Sequence, residues 1–280
     1  MIRSILILLT ALVCCACRSD RPTASEAALK VISYNVRYTG EPTTDGENHW
    51  SYRRHASINM VREERPALIG TQEVLAEQLE FLSENLPEYE AVGVGRDDGV
   101  SAGEHMAIFY RKEAVEMLDW GTFWLSPTPD SPTMGWDAAC YRTCTWARLR
   151  DRASGKEFAV MNTHLDHIGQ VAREQSIRLL MQRMSELMGE EMPVVMTGDF
   201  NSTTDQPIYA PLKAAMQDAR EVAPASDPRS TFNGWGRGSG VIDHIFVRGV
   251  EVDRFEVLCD KNYGAPYISD HYPVAAEIRF

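Results

Sequence analysis

The chain has 280 residues, 44% hydrophobic and 24% charged, and its 40 acidic against 28 basic side chains give a formal charge of -12. That length carries one large domain with a real core, about 250 residues once a leader-like start is set aside. The longest basic clusters are pairs such as Arg53-Arg54 and Arg111-Lys112, which argues against a processive enzyme on duplex DNA, whose affinity comes largely from neutralised phosphates.

In chain order, Arg3 and the apolar run Ser4 to Val13 read as a signal peptide, too short for a permanent bilayer span. Cys17 follows the small Ala16 and reads as the modified residue of a bacterial lipoprotein signal. A Cys stands where Leu is usual in that pattern, and plain cleavage is the alternative. Residues 1–17 are thus expected to export and anchor the protein at a bacterial membrane, periplasmic or on the cell surface. Residues 18–28 form a polar tether, and membrane contact is expected only through the lipid.

Residues 29–38 read as a strand, 57–64 as a helix closed by Pro66, and 67–74 as a buried strand. An amphipathic helix follows at 76–86, then strands at 89–95, 105–111, 115–125, 143–150 and 157–165. The longest helix spans 171–188, and strands at 193–200, 241–249, 250–258 and 272–280 complete the chain. Strands outnumber helices and the helices are interspersed, which suggests two packed sheets with helices outside. One domain, 29–280, is expected, and a monomer. Cys140 and Cys144, read as lying on one strand, would stand about 13 Å apart, too far for a disulfide, so buried free thiols are expected.

Polar residues cluster where these strands end. Asn35 closes the first strand, and alone it reads as a turn residue. Glu73 ends a buried apolar strand, where a carboxylate is costly unless paired or bound to a cation. Asp199 and Asn201 follow the apolar PVVM; an Asx turn would explain them equally well. Asp243-His244, Asp270-His271 and His164 with Asp166 and His167 stand at other strand ends. Together they supply what phosphoryl transfer to water needs. Oxygens can hold a hard divalent cation, a carboxylate or His can activate water, and an amide can orient it.

The blocks SYNVR, TQEV, NTHLDH, TGDFNS, IDHIF and SDHYPV, in this order, resemble the signatures of the endonuclease/exonuclease/phosphatase superfamily. The resemblance runs from residue 29 to 280. It implies a four-layer α/β/β/α sandwich of two mixed β-sheets flanked by helices, and a Mg²⁺- or Mn²⁺-dependent hydrolase that attacks a phosphoester in line with water. Glu73 would then ligate the metal with Asn35 close to metal and phosphate, and Asp270 would complete that end. Asp199 would orient or deprotonate the water, and Asn201 would hold a phosphate oxygen. Asp243 would pair with His271, which contacts phosphate or serves as base. His164 would assist the leaving group, Glu104 would face His164, and Arg142 would contact phosphate.

One position departs from the pattern. Repair endonucleases carry an Asp two residues after the first-strand Asn; here it is Arg37, which would meet substrate phosphate instead of a second metal. The segment FWLSPTPDSPTMGWDAACYRTCTWARL resembles an exported bacterial subgroup of undefined substrate. The expected substrate is a small phosphorylated molecule or lipid head group. An exported nuclease is the alternative, and a noncatalytic binding lipoprotein is a third reading. Gly234 to Gly240 should be a flexible loop beside the site, with Trp235 touching substrate, while Trp120, Trp124, Trp136 and Trp146 are expected in the core.

Overall fold

The computed structural model describes residues 28–280; the expected leader, Cys17 and all but the last tether residue lie outside the described residues. Two mixed sheets lie face to face. In the first, β1 (Leu29–Asn35) and β2 (Leu68–Gln72) run parallel at the centre. Antiparallel neighbours flank them: β13 (Val274–Arg279) beside β1 and β4 (Ile108–Arg111) beside β2. β3 (Tyr89–Val92) forms one edge, and β12 (Glu251–Val257) with β10 (Ala225–Ser226) the other. The second sheet repeats this plan. Parallel β7 (Glu157–His164) and β8 (Val194–Asp199) are central, with β6 (Thr143–Asp151) and β5 (Val115–Trp124) on one side. On the other side lie β11 (Asp243–Arg248) and β9 (Gln217–Asp218).

The central strands read as continuous apolar runs because both their faces are buried. Side chains alternate between faces. Val31 and Leu68 meet Val160 and Val195 between the sheets, while Ile32 and Ile69 turn outward. The outer face of the first sheet is covered by α2 (Trp50–Glu64) and α3 (Ala76–Asn85) through Met60, Val61 and Leu82. The outer face of the second is covered by α4 (Gln170–Met188), whose Ile177, Leu180 and Met184 pack on Met161 and Met196. The result is the expected α/β/β/α sandwich.

Three strands end earlier than the apolar pattern suggests, each at the same rim. β1, β2 and β8 stop at Asn35, Gln72 and Asp199 because Arg37, Glu73 and Asn201 adopt positive φ of 57°, 63° and 51°. A left-handed residue ends a strand at once. Helix α2 begins seven residues before the expected 57, capped by the His49 ring, which accepts from Ser51 N. Cys140 lies in the loop before β6 rather than on the strand, and Cys140, Cys144 and Cys259 are free thiols. Trp120 and Trp136 are exposed, at 41% and 37%, against the expectation that they are core. The short helices α1 (Pro42–Asp45), α5 (Ala210–Ala215) and α6 (Ala219–Val222) escape a periodicity reading, being about one turn long.

Candidate active site

Strand register brings the polar ends together. In the second sheet Asp199 pairs with His164 on one side and with Asp243 on the other, so three functional groups form a row across β7, β8 and β11. In the first sheet Asn35 pairs with Gln72, which places Glu73 one step beyond. The loop before β13 adds Asp270 and His271. These rows face one another across a cleft of about 520 Å³ that is lined by Glu73, His164, Asp199, Asn201, Asp270 and His271, with Arg37, Glu104 and Arg142.

Asn35 ties the two sheets. Its amide nitrogen donates to Glu73 Oε1 at 2.9 Å and to Asp199 Oδ2 at 3.0 Å, while its oxygen accepts from Arg37 N at 2.9 Å. The backbone of Tyr38 donates to the other Glu73 oxygen at 3.1 Å. Asp199 Oδ1 accepts from Asn201 N at 2.8 Å, and Asp199 Oδ2 stands 3.4 Å from His164 Nε2 and 3.7 Å from His271 Nε2. Asp243 is hidden behind His271 and holds its Nδ1 at 2.9 Å.

Charges in this cleft are strongly coupled. Burial opposes charge on His271, but Asp243, Asp199 and Asp270 outweigh it and raise its pKa, so the ring is protonated. His164 goes the other way: burial, then Arg142, Arg96 and His271, hold it neutral. The Asn201 amide nitrogen, oriented by its bond to Leu165 O, donates to His164 Nε2 at 2.9 Å, which places the ring proton on Nδ1. Burial raises Asp199, helped by Asp243 and Glu73 and opposed by His271. Burial also raises Asp270. Burial and then Glu73 lift Glu104 to about 7 against Arg96 and Arg142.

Such upward shifts measure the cost of crowding buried carboxylates. A hard divalent cation would relieve it. Ligand atoms of Glu73, His164 and Asp199 lie within 4.8 Å of one another, as do those of Asp199, Asp243 and His271. The donor set therefore fits a metal. Oxygens of Glu73 and Asp199 are the first candidates, with Asp270 beside them across the Arg37 guanidinium.

Residues 32–271 match the Endonuclease/Exonuclease/phosphatase family. The chain belongs to this family. A Bacteroides vulgatus endonuclease/exonuclease/phosphatase structure is 38% identical, with a TM-score of 0.85, covering 91% of this chain and all of that one. The mannosyl-6-phosphatase of Bacteroides thetaiotaomicron is also 38% identical, with a TM-score of 0.84, covering 90% of this chain and all of its own. An uncharacterised protein of Acanthamoeba polyphaga mimivirus is 26% identical over 88% of this chain and 98% of its own. The human nocturnin catalytic domain, 17% identical at a TM-score of 0.72 over 94% of this chain and all of that one, shares the fold. Family membership makes the protein a hydrolase of the phosphoesterase and nuclease type.

Within this family site, the residues to which the resemblance gave a role fall at or directly behind the cleft, though not all in the contacts foreseen. Glu104 is joined to Arg96 at 2.6 Å. Arg142 donates to Asp166 Oδ2 at 3.3 Å and to His167 Nδ1 at 3.0 Å. Asn201 holds His164. Trp235 is not among the cleft-lining residues; it packs beside Tyr267, with Arg53 over its ring. Phe232 lines the cleft instead, its ring edge to face with His271 at 5.1 Å. Arg96, Tyr38 and Phe232 were not legible: each reaches the cleft from a loop, and loops leave no periodic signal.

Proposed function

We propose that this protein hydrolyses a phosphomono- or diester of a small or lipid-linked molecule, using Mg²⁺ or Mn²⁺ and a water molecule. The observation that carries this reading is the meeting of Asn35, Glu73, Asp199, Asp270 and His271, contributed by both sheets, in one cleft. Held by Glu73, Asp199 and Asp270, the cation would screen phosphate charge and stabilise the charge that develops in the transition state. A new P–O bond to water forms as the ester P–O bond breaks on the opposite side. Asp199, whose pKa burial raises, takes the water proton. The neutral His164 Nε2, 3.4 Å from Asp199, relays a proton to the departing ester oxygen. Protonated His271, oriented by Asp243, donates to a phosphoryl oxygen.

The named activity of the mannosyl-6-phosphatase relative makes a hexose 6-phosphate the first substrate to try. The cleft arginines stand against carboxylates, Arg37 by Glu73, Arg96 by Glu104 and Arg142 by Asp166. That balance suits a compact substrate better than a long polyanion. Export, attachment through Cys17 and a monomeric state belong to the same proposal and rest on the sequence.

The test is phosphate release from mannose 6-phosphate, inositol phosphates, phospholipid head groups and nucleic acids, with Mg²⁺ or Mn²⁺. EDTA should abolish turnover, and Glu73→Ala should lower it with partial recovery in added Mn²⁺. Full turnover in EDTA would reject the metal, and cleavage confined to nucleic acid would establish a nuclease.

A further inference from the structure

Arg37 is an arginine held in a conformation that glycine would adopt more easily. Its φ of 57° is left-handed, which costs a side-chain-bearing residue about 1 kcal/mol. Three hydrogen bonds hold it there. Its N–H donates to Asn35 Oδ1 at 2.9 Å, and its carbonyl accepts from Arg53 Nη2 at 2.7 Å and from Gln78 Nε2 at 3.1 Å. Both supports are themselves fixed: Arg53 is 1% exposed and also donates to the carbonyls of Asn48, Val36 and Ile268, and Gln78 is fully buried.

This framework delivers the guanidinium to the cleft wall, over the Tyr38 ring at 4.2 Å. There it meets three carboxylates at charge-pair range: Asp45 at 3.6 Å, Glu73 at 3.8 Å and Asp270 at 3.9 Å. All three distances exceed a hydrogen bond, and Nε has no hydrogen-bond partner among the described residues. A guanidinium placed to clamp carboxylates would form the fork geometry that Arg279 makes with Asp253, at 2.7 Å through Nε and 2.5 Å through Nη2. Arg37 is kept in an acidic field with its fork uncommitted.

We infer that Arg37 makes this site selective for phosphate monoesters, the dianionic class, over diesters; the inference rests on the hydrolase reading above. A terminal phosphoryl group has three unesterified oxygens and two charges to offer a planar donor fork. A diester offers two such oxygens and one charge. Beside a ring of carboxylates the dianion gains most from a fixed positive group, because both charges would otherwise face the same repulsion.

The experiment compares p-nitrophenyl phosphate with its methyl ester, which share a leaving group and differ by one ester bond, in saturating Mg²⁺ or Mn²⁺. The wild-type protein should prefer the monoester. Arg37→Gln should lower kcat/KM for the monoester by about 10- to 100-fold, the loss of a charge-assisted hydrogen bond. Its effect on the methyl ester should stay within about threefold, since a single charge leans less on the fork. Arg37→Lys, which keeps the charge without the fork, should fall between, and it decides the matter if the Gln variant does not fold. Equal losses on both esters would show that Arg37 only holds its carboxylates and would overturn the inference while leaving the hydrolase intact, as would a wild-type preference for the methyl ester. If neither p-nitrophenyl ester is turned over, the same comparison is made on whichever monoester and diester of the panel above is cleaved, and cleavage of none of them would overturn the phosphoester reading as well.

Discussion

His271 carries its charge because carboxylates surround it more closely than burial penalises it. Asp243 touches Nδ1 at 2.9 Å, and Asp199 lies 3.7 Å from Nε2. If the charged ring holds a phosphoryl oxygen, His271→Ala should lower kcat by about 100-fold or more, the usual loss for one preorganised donor. Asp243→Asn is the finer test. Asp243 is the largest influence raising His271, so removing its charge lowers the His271 pKa. The protonated ring is then lost at a lower pH, and the alkaline limb of the kcat/KM profile should move toward acid. A limb that stays in place would show that His271 does not act in its charged form. At this scale the sequence was informative at Glu73, where a carboxylate just beyond a buried strand is costly unless paired or bound to a cation; Asn35 and Asp199 stood out only once the ordered blocks joined them. It was silent on partners. Nothing at Glu104 announces that Arg96, eight positions earlier, will take its carboxylate, because that pairing depends on the path of the loop between them.

The elements carry the site by register, and the layer beneath it is polar too. Ser33, Asn162 and Thr197 each stand two positions before Asn35, His164 and Asp199, on the same strand face. Gln72 joins them across the sheets, donating to Ser33 Oγ at 3.3 Å and to Asn162 Oδ1 at 2.7 Å; Thr197 donates to the same Asn162 oxygen at 3.1 Å, and the Asn162 amide reaches the carbonyls of Thr71 and Ala107. Gly70 is what lets the sheets approach. A Cβ there would lie 2.0 Å from Thr197 Oγ1 and 2.7 Å from Asn162 Oδ1. Gly70→Ala should therefore cost about 1–3 kcal/mol, as overpacking does, read as a fall in denaturant midpoint with an unchanged slope. An unchanged midpoint would mean that the sheets part freely at this layer. Strands were legible because burial on both faces leaves unbroken apolar runs. Their ends at Asn35 and Gln72 were not, because the left-handed turns at Arg37 and Glu73 use residues without a turn signature, whereas Asn201 carries one and closes the Asx turn on Asp199.

Across the whole molecule, the candidate site lies at one end of the sandwich and β1 starts at the other. β1 starts at Leu29 and reaches the cleft rim at Asn35, six residues on, or about 20 Å along a strand. Anything attached before Leu29 is thus joined to the sandwich at the end remote from Glu73, Asp199 and His271. The two central parallel pairs both point their carboxyl ends at the rim, and the candidate site residues described above all fall between residues 35 and 271. A protein beginning at residue 28 should therefore keep the kcat/KM of the full chain on a soluble phosphoester within about twofold, as expected of a terminus joined away from the site. It should also leave the membrane fraction if Cys17 is the anchor. A large loss of kcat/KM with the fold retained would place part of the leader or tether in the cleft, and the site described here would then be missing a wall.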